Sequence, residues 1–169
     1  MSLVIEQLGN QHKAAKKRFT CGKAELDEYL RTRAGQDQRN KLSVCHVARR
    51  TNDAEIIGYD TLATSSLGKD QLGDLTSRLK LAYETIPLVL LGRLAVSETE
   101  ASKGVGSALL WHALTRAYDV SRTELGCWGV IVDPIDAGAT SFYRHHGFVP
   151  LDSGKMLLPM GTIEKLVEG

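Results

Sequence analysis

The run Lys103-Gly104-Val105-Gly106-Ser107-Ala108 has the composition of an anion cradle. It follows a strongly apolar stretch and opens a stretch with helical periodicity. A helix N-terminus presents backbone N–H groups that have no partner within the helix, together with a partial positive charge. Glycines let that backbone approach a diphosphate with no Cβ in the way, and Lys103 adds charge from the flank. The spacing is not that of a Walker A loop, which needs Gly-Lys-Ser/Thr after a longer gap. It is not a full dinucleotide fingerprint either, because no glycine stands three residues after Gly106. Cys21, Cys45 and Cys127 are odd in number and widely spaced, which fits neither a disulfide framework nor a zinc pattern. His12, His46 and His112 are not read as a ligand cluster, and no metal is expected.

The elements that must position the cradle can be read from periodicity. Residues 4–8, 43–50 and 55–64 read as strands, with Thr51-Asn52-Asp53 as the hairpin turn between the last two. A helix follows Gly22, with Leu26, Tyr29, Leu30 and Arg33 on one face. Residues 65–85 read as a loop carrying a short helix around Leu72, Leu75 and Leu79. Residues 87–96 are apolar enough for a central strand buried on both faces. A helix over 105–118 has Leu109, Leu110, Ala113, Leu114 and Ala117 as its apolar face. Residues 128–132 form another buried strand, 136–144 a helix stopped at Gly147, and 148–151 and 155–158 short closing strands. The expectation is one α+β domain over residues 1–169 with a mixed sheet. No apolar run is long enough to span a bilayer and no signal-peptide core precedes Glu6, so a cytoplasmic protein with no membrane partner is expected.

The apolar strand ending Arg93-Leu94-Ala95-Val96, the glycine turn, and Phe142-Tyr143-Arg144-His145-His146-Gly147-Phe148 together resemble the GNAT acetyltransferase superfamily. The resemblance follows the order of elements over nearly the whole chain and is most specific over residues 88–151. It implies a mostly antiparallel mixed sheet with a V-shaped splay between two central strands, and acetyl-CoA as the cofactor. Pantetheine would pair with the backbone of Leu94, Ala95 and Val96. The pyrophosphate would sit on Ser102, Lys103, Gly104, Val105, Gly106, Ser107 and Ala108. Phe142 joins this set, although its type alone also suits a core aromatic, as does that of Phe148. One departure is Ala101, which stands where the superfamily usually has Gln or Arg.

Acetyl transfer needs a neutral amine, a stabilised oxyanion and a proton for the departing thiolate. By the resemblance, Tyr143 supplies that proton. A phenol near pKa ~10 is protonated at neutral pH and can donate to a thiolate near ~8.5. A backbone N–H near Leu94 is the candidate oxyanion donor. The superfamily often places a Glu base on the first central strand, but residues 87–96 hold only Arg93 as a charged group. Glu84, His145 and His146 lie near enough in sequence to be considered. An α-amine near ~8 needs less help to lose its proton than a lysine near ~10.4. The missing carboxylate therefore favours an α-amine substrate.

Phe19-Thr20-Cys21-Gly22-Lys23-Ala24-Glu25-Leu26-Asp27-Glu28-Tyr29-Leu30, followed by Ala34-Gly35-Gln36-Asp37, resembles the opening of GNAT toxins of bacterial toxin–antitoxin systems. That resemblance implies acetylation of the α-amino group of aminoacyl-tRNA and a block of translation. It also implies a homodimer, a ribbon-helix-helix antitoxin, and operator DNA bound by the pair. Residues 1–50 hold 11 Lys and Arg against 5 Asp and Glu, while the whole chain is only +1. Arg31, Arg33, Arg39, Lys41, Arg49, Arg50 and Arg93 are the candidate RNA contacts. Two other readings remain open: an enzyme of this superfamily acting on a small-molecule amine or a protein N-terminus, and an inert acetyl-CoA-binding protein.

Overall fold

The β-branched and aromatic runs fold as strands in a seven-stranded sheet. The computed structural model describes residues 2–75 and 82–169. Its strands are β1 (Leu3–Gln7), β2 (Val44–Arg50), β3 (Gly58–Gly68), β4 (Thr85–Val96), β5 (Gly129–Val132), β6 (Val149–Pro150) and β7 (Met156–Pro159). Their order across the sheet is β1-β2-β3-β4-β5-β7-β6. The helices are α1 (Ala15–Arg18), α2 (Ala24–Thr32), α3 (Ala34–Arg39), α4 (Val105–Thr123), α5 (Ala137–His145) and α6 (Met160–Glu168). By contact density the chain divides into two compact units, Met1–Ala63 with Leu91–Ala113, and Thr64–Leu90 with Leu114–Gly169.

In the first unit β1, β2 and β3 pair antiparallel, with Leu3 opposite Arg50, Gln7 opposite His46, and His46 opposite Asp60. The β2–β3 turn falls at Thr51-Asn52, where Asn52 takes φ 63°, a left-handed conformation that asparagine tolerates better than most residues. The core gathers Phe19, Leu26, Tyr29, Leu30, Cys45, Val47, Tyr59 and Ala95. Phe19 meets Tyr59 edge-on with centroids 5.6 Å apart, and the Tyr59 hydroxyl donates to the Leu26 carbonyl at 2.7 Å. That buried phenol therefore satisfies its polar end while its ring packs. A second cluster joins Ala48 and Ile57 to Val105 and Leu109 of α4.

The expected helical face of α2 is realised at Leu26, Tyr29 and Leu30, but Arg33 is exposed. The helix ends at Thr32, whose hydroxyl turns back onto the Glu28 carbonyl at 2.8 Å, and Arg33 lies at the break before α3. Sequence periodicity missed α3 because its residues are nearly all polar. Tertiary hydrogen bonds tie it down instead. Gln38 donates to the Leu8 carbonyl at 2.8 Å and accepts from the Cys45 N–H at 2.9 Å, and the Tyr29 hydroxyl donates to Asp37 at 2.8 Å.

In the second unit Leu67, Leu72, Ile86, Leu88, Ile131 and Leu157 form the core. The short helix expected around Leu72 is a 3-10 segment, Lys69–Leu75, kinked at Gly73. Leu79 lies outside the described residues. β5 pairs antiparallel with β7, and β7 with β6. β4 is not buried on both faces, as its composition suggests. Ile86, Leu88, Leu91 and Ala95 are buried, while Pro87 and Gly92 are exposed. The buried positions change parity between Leu88 and Leu91, a slip of one residue in the alternation that a strict two-residue period does not allow.

Candidate functional site

The glycine turn has the geometry of a backbone cradle. After β4, a 3-10 turn at Glu98–Glu100 leads into an exposed segment, 101–104, and then α4. Ser102 (φ 64°) and Gly104 (φ 86°) both take left-handed conformations, which fold the backbone so that the segment enters α4 sharply. The Ala108 N–H closes the first helical turn on the Gly104 carbonyl at 3.1 Å. A Cβ built on Gly104 meets nothing within 4 Å, so the space above the turn is open to a ligand. The first turn of α4 holds no acidic residue that would repel an anion. Val105 is buried and anchors the turn, while Gly106 and Ala108 are half-buried and Ser107 is exposed. Leu94 and Val96 of β4 pack on the Val105–Leu109 cluster, and Ala95 joins the other core.

Electrostatics around the turn centre on Glu100. Its carboxylate accepts from Arg50 at 3.0 Å and lies 3.9 Å from the Lys103 ammonium. The Arg50 hydrogen bond, more than any other influence, holds Glu100 below the usual carboxylate range. Arg50 is thus placed beside the turn. The preceding segment also docks here: the Glu98 N–H donates to the Thr20 carbonyl at 3.0 Å, and Gly22, at φ 88°, leaves no room for a Cβ beside the Glu98 carboxylate.

Tyr143 lies on α5 in the second unit. Asp136 caps this helix by accepting from the Ala139 N–H at 2.8 Å, and Gly147, at φ 95°, follows its end. Tyr143 is buried between Phe142 and Phe148, each ring centroid 5.3 Å from its own. Phe148 is a core residue, as its type suggests, whereas Phe142 is half-buried against His146 at 4.8 Å. Burial and then the neighbouring His145 push the His146 imidazole below its ordinary pKa. His145 and Glu84 are exposed.

The profile of the acetyltransferase (GNAT) domain matches residues 41–150. The chain belongs to the GNAT acetyltransferase family. A tRNA-acetylating toxin of Mycobacterium tuberculosis (strain ATCC 25618 / H37Rv) is 31% identical over 152 residues, 88% of each chain. The toxin AtaT, solved in complex with acetyl-methionyl-tRNAfMet, superposes with a TM-score of 0.87 at 30% identity, covering 98% of this chain and 99% of that one. A tyrosine-to-phenylalanine variant of AtaT, bound to acetyl-CoA and the C-terminus of the antitoxin AtaR, gives 0.81 at 28% identity over all of both chains.

β4 of this GNAT chain carries no carboxylate. Its candidate RNA contacts fall into two sets. Arg33, Arg39 and Lys41 are exposed at the α2–α3 break and the end of α3. The others are engaged with protein groups: Arg31 with Glu28 at 3.3 Å, Arg49 with Glu6 at 2.6 Å, and Arg93 stacked 3.5 Å over the Tyr29 ring. The Phe19–Leu30 segment is tied together by buried Asp27, which accepts from the Cys21 N–H at 2.8 Å. Burial, then that aspartate, pushes the Cys21 thiol up to about 11. Burial likewise raises Cys45 and Cys127, and all three cysteines are free thiols.

The histidines depart from expectation. His12 sits apart, buried, accepting from the Gly9 N–H at 3.0 Å and donating through Nε2 to Glu6 at 2.9 Å. His46 and His112, by contrast, come together with Asp60. Asp60 was missed because a lone acidic residue in a strand of mixed polarity gives no periodic signal. Its burial and its cross-strand pairing with His46 appear only in the fold.

Proposed function

We propose that the chain is a single-domain, acetyl-CoA-dependent N-acetyltransferase that modifies the α-amino group of aminoacyl-tRNA and so arrests translation. The open turn with left-handed backbone at Ser102 and Gly104, leading into α4, carries the reading. The tRNA-acetylating relative and the AtaT complexes support the substrate class.

In this reading Ser102, Lys103, Gly104, Val105, Gly106, Ser107 and Ala108 hold the pyrophosphate, and Leu94, Ala95 and Val96 offer backbone to pantetheine. The family resemblance assigns Phe142 to the cofactor as well. Acetyl-CoA supplies the thioester. The neutral amine attacks its carbonyl carbon, and a β4 N–H near Leu94 stabilises the oxyanion. As the C–S bond breaks, the Tyr143 hydroxyl donates its proton to the thiolate, and the proton shed by the acylated nitrogen returns to the Tyr143 phenolate, leaving amide and free thiol. With no carboxylate on β4, the α-amine depends on its own modest pKa to be neutral. Exposed Arg33, Arg39 and Lys41 are the first candidates for the tRNA backbone, and Arg31, Arg49, Arg50 and Arg93 would have to exchange present contacts for phosphate.

The remaining parts of the proposal are a cytoplasmic homodimer and a ribbon-helix-helix antitoxin whose complex with the chain binds operator DNA. Among the described residues no helix is long and apolar enough to cross a membrane. The deciding experiment incubates the protein with labelled acetyl-CoA and a charged tRNA pool, then analyses the aminoacyl groups released from tRNA. Label on their α-amines is expected. Label confined to a free small amine or a protein N-terminus would replace the tRNA reading.

A further inference from the structure

We propose that His46, Asp60 and His112 form a site for a divalent transition-metal ion of the zinc class. His46 and Asp60 stand opposite each other on β2 and β3, with Nδ1 and Oδ1 3.3 Å apart. His112 comes from α4, its ring centroid 4.9 Å from that of His46 at an interplanar angle of 68°. One donor atom from each of the three residues can be chosen so that all lie within 4.8 Å of one another. A tetrahedral ion with ligands at ~2.0–2.1 Å sets neighbouring donors about 3.4 Å apart. The His46–Asp60 pair already has that separation. The widest pair must close by little more than an ångström, which ring rotation provides.

Asp60 itself calls for a cation. Its side chain is 0% exposed, yet Oδ2 accepts no hydrogen bond from any described residue. A buried carboxylate with an unsatisfied oxygen is costly unless a cation compensates it. Burial pushes the Asp60 carboxyl above its ordinary range, and His46, then His112, offset only part of that cost. A dication bound in the cluster would offset the buried carboxylate charge. Half-buried His46 and His112 leave a path for the ion and a fourth position for water. Two imidazoles and one carboxylate suit zinc and its neighbours rather than magnesium or calcium, which prefer all-oxygen sets.

The site differs from the acetyl-transfer machinery proposed above. His112 is eight residues past Gly104, about 12 Å along the helix axis at the α-helical rise. The ion would therefore brace α4 against the β2–β3 hairpin within one unit, and it would not touch the diphosphate.

The test uses tag-free protein stripped with a chelator and titrated with Co²⁺, then Zn²⁺. Expected are one ion per chain, the intense visible absorption of tetrahedral Co²⁺, its displacement by Zn²⁺, and a higher Tm with Zn²⁺. His112→Gln should weaken Zn²⁺ binding by more than ~100-fold, since even loss of a group supporting a ligand costs 10–100-fold. His145→Gln, at an exposed histidine outside the cluster, should bind as the parent does. Asp60→Asn should also lose the ion. If that variant fails to fold, His112→Gln decides, because its residue is only half-buried. Octahedral, weakly absorbing Co²⁺, or binding unchanged in folded His112→Gln, would overturn the proposal.

Discussion

Gly58→Ala tests whether the first turn of α4 is held by close packing at the start of β3. A Cβ at Gly58 would stand 2.9 Å from Leu109 Cδ1, 3.0 Å from the Ala95 carbonyl oxygen and 3.1 Å from Val105 Cγ1. The leucine tip can yield, but the Ala95 oxygen is backbone and Val105 is the first residue of α4. Overpacking of this kind costs about 1–3 kcal/mol. Restricting the unfolded chain returns roughly 0.4–1 kcal/mol, since Gly58 has no left-handed conformation to forbid alanine. The net loss is about 1–2 kcal/mol, or a Tm lower by roughly 2–8 °C for a chain of this length. Thermal unfolding followed by circular dichroism measures it. Gly161→Ala is the control, because a Cβ there meets nothing within 4 Å in α6, and its Tm should hold or rise. Because relief of the clash moves Val105, the affinity of Gly58→Ala for acetyl-CoA should fall as well. A Gly58→Ala protein as stable as the parent would refute the packing argument.

Other outcomes can be set beside it. Tyr143→Phe should bind acetyl-CoA as the parent does by calorimetry yet turn over ~10²-fold more slowly or worse, and unchanged turnover would remove Tyr143 from the mechanism. Asp136→Ala removes the cap of α5 and should cost about 0.5–2 kcal/mol in denaturant unfolding. Glu6 is held below the ordinary carboxylate pKa, first by the Arg49 hydrogen bond and then by His12. Its contribution to stability is therefore full above the unfolded value near ~4.3 and fades as pH falls through the lower folded value. Glu6→Gln should be less stable than the parent at neutral pH, with the gap closing in acid unfolding titrations.

Much of this fold was legible because its elements are locally consistent. The apolar face of α4, Leu109, Leu110, Ala113, Leu114 and Ala117, is buried as its spacing predicts, and the Asp136 and Gly147 signals bracket α5. Local pattern failed where long-range bonds decide. α3 exists through Gln38 and Asp37, and Arg33 falls on a helix break that no periodicity marks. The glycine turn was visible as composition, but its left-handed Ser102 was not, since a serine gives no such signal. The basic N-terminal third was visible as charge, whereas the partners of Arg49 and Arg50 lie 43 and 50 residues away in sequence. The His46–Asp60–His112 group unites two strands and a helix, so no spacing rule could have found it.

The two borders of the sheet are unequal. At one end stands β6, two residues long and ending in Pro150, which has no N–H to offer a neighbour. At the other stands β1, five residues with its outer row of backbone groups facing away from β2. Among the described residues, an incoming strand from another polypeptide would find a usable template only along Leu3–Gln7. Any growth of this sheet, whether orderly assembly or aggregation of partly opened protein, is therefore directional. Its direction is set by the residue types at the borders.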